Sequence, residues 1–299
     1  MLAPIVLFVY NRLDHTQGVI ETLSKNVLAK ESDLYVFSDA AKSENGLEKV
    51  KAVRSYINDE KWHSDFKKVT IIEAEHNKGL AKSVIDGVTK IIEEYGKVIV
   101  VEDDLLLSPY FLSYMNGALE FYQEDKKIWS ISGYSFPMRS LKKYPHDIFY
   151  SYRGCSWGWA TWKDRWETVD WVVENFEKFI GDREWIGRFN RGGVDLTNML
   201  QMQMDGKIDS WAIRWCFAQS NQEMYTVYPR ISYLENAGCD GSGVHSSVYD
   251  EYYTDMSQCV LDCKFETLEI NKKIAKEFQR KYKDTIKKKI KRRLQKIFK

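Results

Sequence analysis

Residues 97–105, Lys-Val-Ile-Val-Val-Glu-Asp-Asp-Leu, constrain the fold more than any other stretch. Four consecutive β-branched residues ask for a strand buried on both faces. The strand then runs straight into Glu102, Asp103 and Asp104. Unpaired acids cannot lie in a core, so the strand has to end at an opening. An open α/β sheet provides one, because its ligands bind in crevices outside the carboxyl ends of the strands. Clustered carboxylate oxygens suit Mg²⁺ or Mn²⁺, and such an ion suits a diphosphate. An acidic triplet alone is equally a solvated turn; the strand before it and Pro109 after it favour a site.

The residues upstream repeat the same pattern. Pro4–Tyr10 is an apolar run stopped by Asn11-Arg12, Leu34–Phe37 stops at Ser38-Asp39, and Val69–Ile72 leads into the loop Glu75–Leu80. Between these runs apolar residues recur at helical spacing: Val19, Leu23 and Val27, then Val50, Val53 and Ile57, then Val84, Val88 and Ile91 or Ile92. Such alternation predicts a mainly parallel sheet with helices on both faces and right-handed crossovers. Arg12, Asp39, the Asn77 region and Asp104 then share one sheet edge, a nucleotide pocket by geometry. Neither the Gly-x-Gly-x-x-Gly fingerprint nor a Gly-x-x-x-x-Gly-Lys loop is present, so phosphate is expected to be held through a metal and side chains.

The second half changes character. Tyr110–Tyr122 reads as an amphipathic helix and Trp129–Gly133 as a short strand. Arg153–Trp162 is dense in glycine and tryptophan; glycine permits close backbone approach to a ligand, and the indoles either stack on sugar or fill a core. Lys163–Phe179 and Trp185–Met204 read as helices. Asp209-Ser210-Trp211 opens another, and helix capping alone would explain Asp209. Val227–Leu234 is a late strand, and the glycine-rich loop Glu235–Ser247 carries His245, either a ligand or an ordinary loop residue.

With 299 residues, 44% hydrophobic and 29% charged, the chain has ample material for one large α/β domain. The expected division is a nucleotide-binding half at 1–133, an acceptor-binding and catalytic half at 134–270, and a tail at 271–299. Five cysteines without a Cys-x-x-Cys pair read as free thiols in a reducing compartment. No run has the composition of a signal peptide or reaches the roughly 20 apolar residues of a membrane span, so a cytoplasmic protein, soluble or peripheral, is expected. The formal charge of +1 hides an asymmetry. Residues 271–299 contain 14 Lys/Arg and 2 acids, while residues 1–270 contain 30 basic and 41 acidic groups. Ile286, Ile290, Leu294 and Phe298 also make an apolar stripe among those lysines and arginines. The tail therefore reads as an interfacial helix on an anionic membrane rather than a nucleic-acid arm, on which an apolar stripe has no use.

Taken in order, these pieces resemble the GT-A glycosyltransferases, and among them the N-acetylglucosaminyltransferase I type. The shared pattern is a first strand ending in Arg (Arg12), a second ending in Asp (Asp39), and strand-Glu-Asp-Asp-Leu followed by Pro and an aromatic helix. A Trp-Ser-Ile-Ser strand, a Gly-x-x-x-Gly-Trp segment (Gly154–Trp159), an Asp-x-Trp (Asp209–Trp211) and a Gly/Ser-His loop ending at His245 complete it. It spans about residues 1–250 and departs from the type in lacking an N-terminal anchor and in the spacing from Trp171 to Asp209. The resemblance implies a GT-A (Rossmann-like) fold and an inverting, metal-dependent transfer from a nucleoside-diphosphate sugar, UDP-sugar favoured, to a glycan or lipid-linked acceptor in surface-polysaccharide synthesis. Asp104 would hold the Mn²⁺ or Mg²⁺ ion, with His245 as a further candidate. Glu102 and Asp103 would reach ribose and donor sugar, and Arg12 and Asp39 would line the nucleotide pocket. Asp209 would be the catalytic base, with Trp157, Gly158 and Trp159 as acceptor site or lid.

Two other classes fit the acid-terminated strand. A sugar-1-phosphate nucleotidyltransferase would attack phosphorus and need no base such as Asp209. A non-catalytic sugar-nucleotide or glycan-binding protein would turn nothing over.

Overall fold

The computed structural model describes residues 1–240 and 254–283, the side chains of Cys239 and Asp240 excepted. The first half builds as the apolar runs require. Strands β1 (Ile5–Val9), β2 (Asp33–Ser38), β3 (Lys68–Glu73) and β4 (Lys97–Glu102) alternate with helices α1 (Leu13–Ser24), α2 (Glu44–Ile57) and α3 (Leu80–Tyr95). There follow β5 (Leu105–Leu107), α4 (Phe111–Phe121), β6 (Ile128–Ser132), β7 (Ile148–Ser151) and β8 (Trp159–Trp162). Helices α5 (Lys163–Trp166), α6 (Phe176–Ile180), α7 (Arg183–Phe189), α8 (Leu196–Met204) and α9 (Trp211–Asn221) lead to β9 (Tyr225–Pro229), β10 (Leu234–Asn236) and α10 (Lys272–Lys281).

One eight-stranded sheet, ordered β3-β2-β1-β4-β8-β6-β9-β7, organises the molecule. The first four strands in that order are mutually parallel. β8 runs against both β4 and β6, β9 runs with β6, and β7 runs against β9. The sheet is mainly parallel, as expected for an α/β fold of this class. Alternate residues of β1 go to opposite faces: Ile5, Leu7 and Val9 pack with α1, α2 and α4, while Val6 and Phe8 pack with α3. On the α3 face sits a buried tryptophan cluster of Trp129, Trp159, Trp166, Trp211 and Trp215, with the Trp129 and Trp215 rings 4.3 Å apart.

That cluster corrects the reading of Trp159 as acceptor site or lid. Trp159 lies in β8, hydrogen-bonded between β4 and β6, and its ring is fully buried. Core packing accounts for it. The two long helices expected after Lys163 are also broken. The Asp170 carboxylate accepts the amides of Val172, Val173 and Glu174 and holds Val173 at φ 62° in the loop that separates α5 from α6. Between α7 and α8, a Cβ on Gly192 would stand 2.8 Å from the Tyr152 carbonyl oxygen, so the chain there passes too close to its neighbour for an ordinary helix.

The base of the tail belongs to the fold. Helix α10 buries Ile274 and Phe278 in the main core, and its Glu277 carboxylate accepts the amides of Arg139 and Ser140. Tyr282 lies beneath the Arg153 guanidinium, 3.7 Å from the ring centre. The stripe from Ile286 to Phe298 lies outside the described residues. Among the described residues no helix is long and apolar enough to cross a membrane, and Cys155, Cys216, Cys259 and Cys263 are free.

Candidate active site

Three strands deliver the predicted residues to one sheet edge. Phe8 of β1 pairs with Glu102 of β4, so the chain leaving β1 reaches Arg12 alongside the turn at Asp103 and Asp104. The Arg12 Nη2 group donates to Asp103 and, at 3.0 Å, to Asp104 Oδ2. Its Nε lies 3.4 Å from the second Asp103 oxygen. Burial raises the Asp103 pKa, with Arg12 opposing. Glu102 is pushed well above the ordinary carboxylate range by burial first and then by Asp104 and Asp103. Burial also works against the Arg12 charge, but the two aspartates outweigh it and its pKa rises.

This cluster is incomplete. Arg12 Nη1 is buried without an acceptor, and Asp104 Oδ1 is buried without a donor. Both residues line a cleft of about 550 Å³, bordered also by Asn11, Asp14, Lys49 and Ala237. The chain after β10 closes over the far side of Asp104. The Ala237 amide donates to the Asp104 carbonyl at 2.8 Å, and the Gly238 backbone comes so close that a Cβ there would stand 2.9 Å from the Asp104 Cγ. Nothing in the sequence distinguished Gly238 from the other glycines of that loop.

Asp39 is placed at the same edge, but in a different task. Its carboxylate accepts from Asn77 Nδ2 and from the amides of Lys78 and Gly79, at 2.9–3.2 Å, and so builds the loop that starts α3. Gly79 has φ 77°, a conformation glycine reaches readily. The Asp209 carboxylate lies beyond this loop, its Oδ2 3.7 Å from where a Gly79 Cβ would be. Asp209 does not share the larger cleft. With Arg214, Lys82 and Asp86 it borders a second one of about 250 Å³ between α3 and α9.

Capping does not explain Asp209. The residue that caps α9 is Ser210, whose Oγ accepts from the Ile213 amide, while the Asp209 side chain is 64% exposed. Arg214, which sequence reasoning passed over, holds the carbonyls of Ser210 and Trp171 and turns Nη2 toward Asp209 at 3.5 Å. Trp157 packs edge-on against Tyr134, 4.7 Å between centres. Gly158, at φ 53°, is wedged against Leu234 and Phe111. His245 lies outside the described residues.

Among the described residues, no three His, Cys, Asp or Glu side chains form a ready metal cage. The donor set nevertheless fits Mg²⁺ or Mn²⁺, which bind through one or two carboxylates and otherwise through water and substrate phosphate. The buried, unpartnered Asp104 Oδ1 is the oxygen such an ion would take.

The match to the GNT-I family runs over residues 2–170, more than half of the chain. The chain belongs to the GNT-I family. The matched span contains Arg12, Asp39, the Glu102–Asp104 triplet and Trp157–Trp159, and ends before Asp209. No curated protein matches the chain. Solved structures similar to this family member include S. aureus TarS 1-349 in complex with UDP, at 16% identity and TM-score 0.34 over 48% of this chain and 40% of that one. A second TarS 1-349 structure aligns at 12% identity and TM-score 0.45 over 80% and 61%. The mannosyltransferase PcManGT from Pyrobaculum calidifontis, in complex with GDP-Man and Mn²⁺, aligns at 12% identity and TM-score 0.42 over 74% and 69%. The chain thus spans well under half of the first of these proteins.

Proposed function

We propose that this chain is an inverting glycosyltransferase that uses a nucleoside-diphosphate sugar and a divalent cation. The observation that carries this reading is the pair of buried, unpartnered atoms at the sheet edge, Arg12 Nη1 and Asp104 Oδ1, on two residues that line one cleft. One needs an anion and the other a cation. A metal-bound diphosphate offers both.

In this reading Asp104 and, where its loop reaches, His245 would hold Mn²⁺ or Mg²⁺, which when bound neutralises charge on the departing diphosphate. Arg12 would bind a phosphate oxygen. Asp103, nearly buried against Arg12, would fix the guanidinium rather than reach the ribose. Asp39 would shape the loop at 77–79 against the nucleotide. Asp209 would take the proton of an acceptor hydroxyl entering by the α3–α9 cleft. That hydroxyl would attack the anomeric carbon opposite the leaving diphosphate, inverting its configuration. The acceptor would be a glycan or lipid-linked sugar at the cytoplasmic membrane face, brought close by the basic tail; α10 exposes Lys272, Lys273, Lys276 and Arg280 at the tail's base.

The test is product release from a panel of sugar nucleotides with Mn²⁺, and again with chelator. Metal-dependent nucleoside diphosphate is expected. Pyrophosphate released in a parallel assay with nucleoside triphosphates and sugar 1-phosphates would instead establish the nucleotidyltransferase reading, and binding without turnover in either assay the non-catalytic one.

A further inference from the structure

We infer that Arg12 is a resident counter-cation at Asp104, and that it makes metal and nucleoside-diphosphate binding mutually dependent. This rests on the proposed metal-dependent use of a nucleoside-diphosphate donor and goes beyond it by assigning the coupling to one side chain. The argument begins with charge. Asp103 and Asp104 share the Arg12 Nη2 group, Arg12 Nε also reaches Asp103, and His15 adds a weaker electrostatic influence on Asp103, so among the described residues Arg12 is the cation in contact with Asp104. A divalent ion placed on the free Asp104 Oδ1 would stand beside that guanidinium, and like charges repel. The metal therefore binds poorly while Arg12 is in place.

Asp104 cannot relieve the conflict by moving. Its carboxylate is backed by Gly238, its carbonyl is held by the Ala237 amide, and strand β4 fixes the chain before it. Arg12 can. It lies between β1 and α1, its side chain is 21% exposed, and the adjoining helical contact, Thr16 Oγ1 to the Arg12 carbonyl, involves only its backbone. Arg12 Nη1 is the group without an acceptor. A diphosphate arriving in the cleft supplies that acceptor, draws the guanidinium from Asp104, and adds the negative charge that lets a divalent ion sit there. Each ligand removes the obstacle to the other, which by linkage raises both affinities by the same factor.

The experiment is calorimetric titration of the full chain with Mn²⁺ alone, and with Mn²⁺ in the presence of saturating UDP or, separately, GDP. Wild type should bind Mn²⁺ at least about tenfold more tightly with the effective nucleotide present, within the span usual for coupled sites. Arg12→Met should bind Mn²⁺ alone about tenfold more tightly than wild type and lose most of the nucleotide effect, while Arg12→Lys should stay near wild type for Mn²⁺ alone. Melting curves with and without Mn²⁺ give a second readout, with the larger stabilisation by metal in Arg12→Met. If wild type takes up Mn²⁺ equally with and without nucleotide, or if folded Arg12→Met binds it no more tightly, the counter-cation role is wrong and the metal site survives. If Mn²⁺ binds under none of these conditions, the metal-dependent reading falls together with it.

Discussion

At the scale of residues, the two halves of the proposed chemistry are held apart. Arg12, Asp103 and Asp104 border one cleft, Asp209 borders another, and the loop ordered by Asp39 brings Gly79 beside Asp209. This separation makes the roles of single side chains distinguishable. Asp209→Asn should lower kcat by about 10²–10⁴-fold, the usual contribution of a general base, without weakening donor binding. An exposed carboxylate with one distant ionic neighbour has little structural work to lose, so the melting temperature should hardly change. Steady-state kinetics beside donor titration checks this. A loss of donor affinity equal to the loss of rate would mean that Asp209 belongs to the donor cleft, not to the acceptor's proton.

At the scale of elements, the sequence was readable where one period ruled. Strands β1 to β4 each combine a short apolar run with a polar stop, and the intervening helices carry apolar stripes, so the parallel sheet and its shared edge followed, although Val27 lies past the end of α1 and is exposed. Beyond residue 150 tertiary contacts decide. Trp159 to Trp162 became a central strand because both faces are covered, which a Gly- and Trp-rich composition does not announce. The helix breaks near Asp170 and Gly192 come from a side chain capping its own loop and from a close backbone crossing, neither of which has a periodic signature. Gly238 and Arg214 act through partners distant in sequence from them or through backbone atoms, so pattern alone could not single them out. Helix α10 shows the same limit: its basic composition suggested part of an interfacial helix on a membrane, while Glu277 ties it to the body. Burial raises the Glu277 pKa, but hydrogen bonds from Ser140 and Arg139 outweigh it and leave the value below that of an ordinary carboxyl. A carboxyl so depressed stabilises the fold above its unfolded pKa and loses that contribution as pH falls through its folded value. Glu277→Gln should therefore melt below wild type at neutral pH, and the gap should close as pH drops below 4.5. A gap that does not narrow as pH falls below 4.5 would mean that side-chain shape rather than charge secures the helix.

At the scale of the whole molecule, the proposed membrane contact assigns different work to two parts of the last 29 residues. Residues 271–283 complete the body: Ile274 and Phe278 are buried beside Phe136 and Tyr228, each contributing about 1.5–3 kcal/mol of apolar burial. Residues 284–299 carry eight Lys/Arg against one Asp, with the stripe of Ile286, Ile290, Leu294 and Phe298. The body from 1 to 270 is strongly acidic and would be repelled by an anionic surface, so attraction has to come from the tail. Basic groups near such a surface contribute on the order of 1 kcal/mol each and are screened by salt. A cut after residue 283 separates these contributions. The protein lacking 284–299 should melt like wild type and, with a soluble acceptor, release nucleoside diphosphate from the donor at the same rate, yet fail to sediment with phosphatidylserine vesicles at low salt. Deleting 271–299 should also lose vesicle binding, but with a melting temperature several degrees lower, because a buried face of the body is uncovered. Should the shorter deletion still sediment with vesicles, the membrane contact would have to be made by the lysines that α10 itself presents, and the terminal stripe would need another partner.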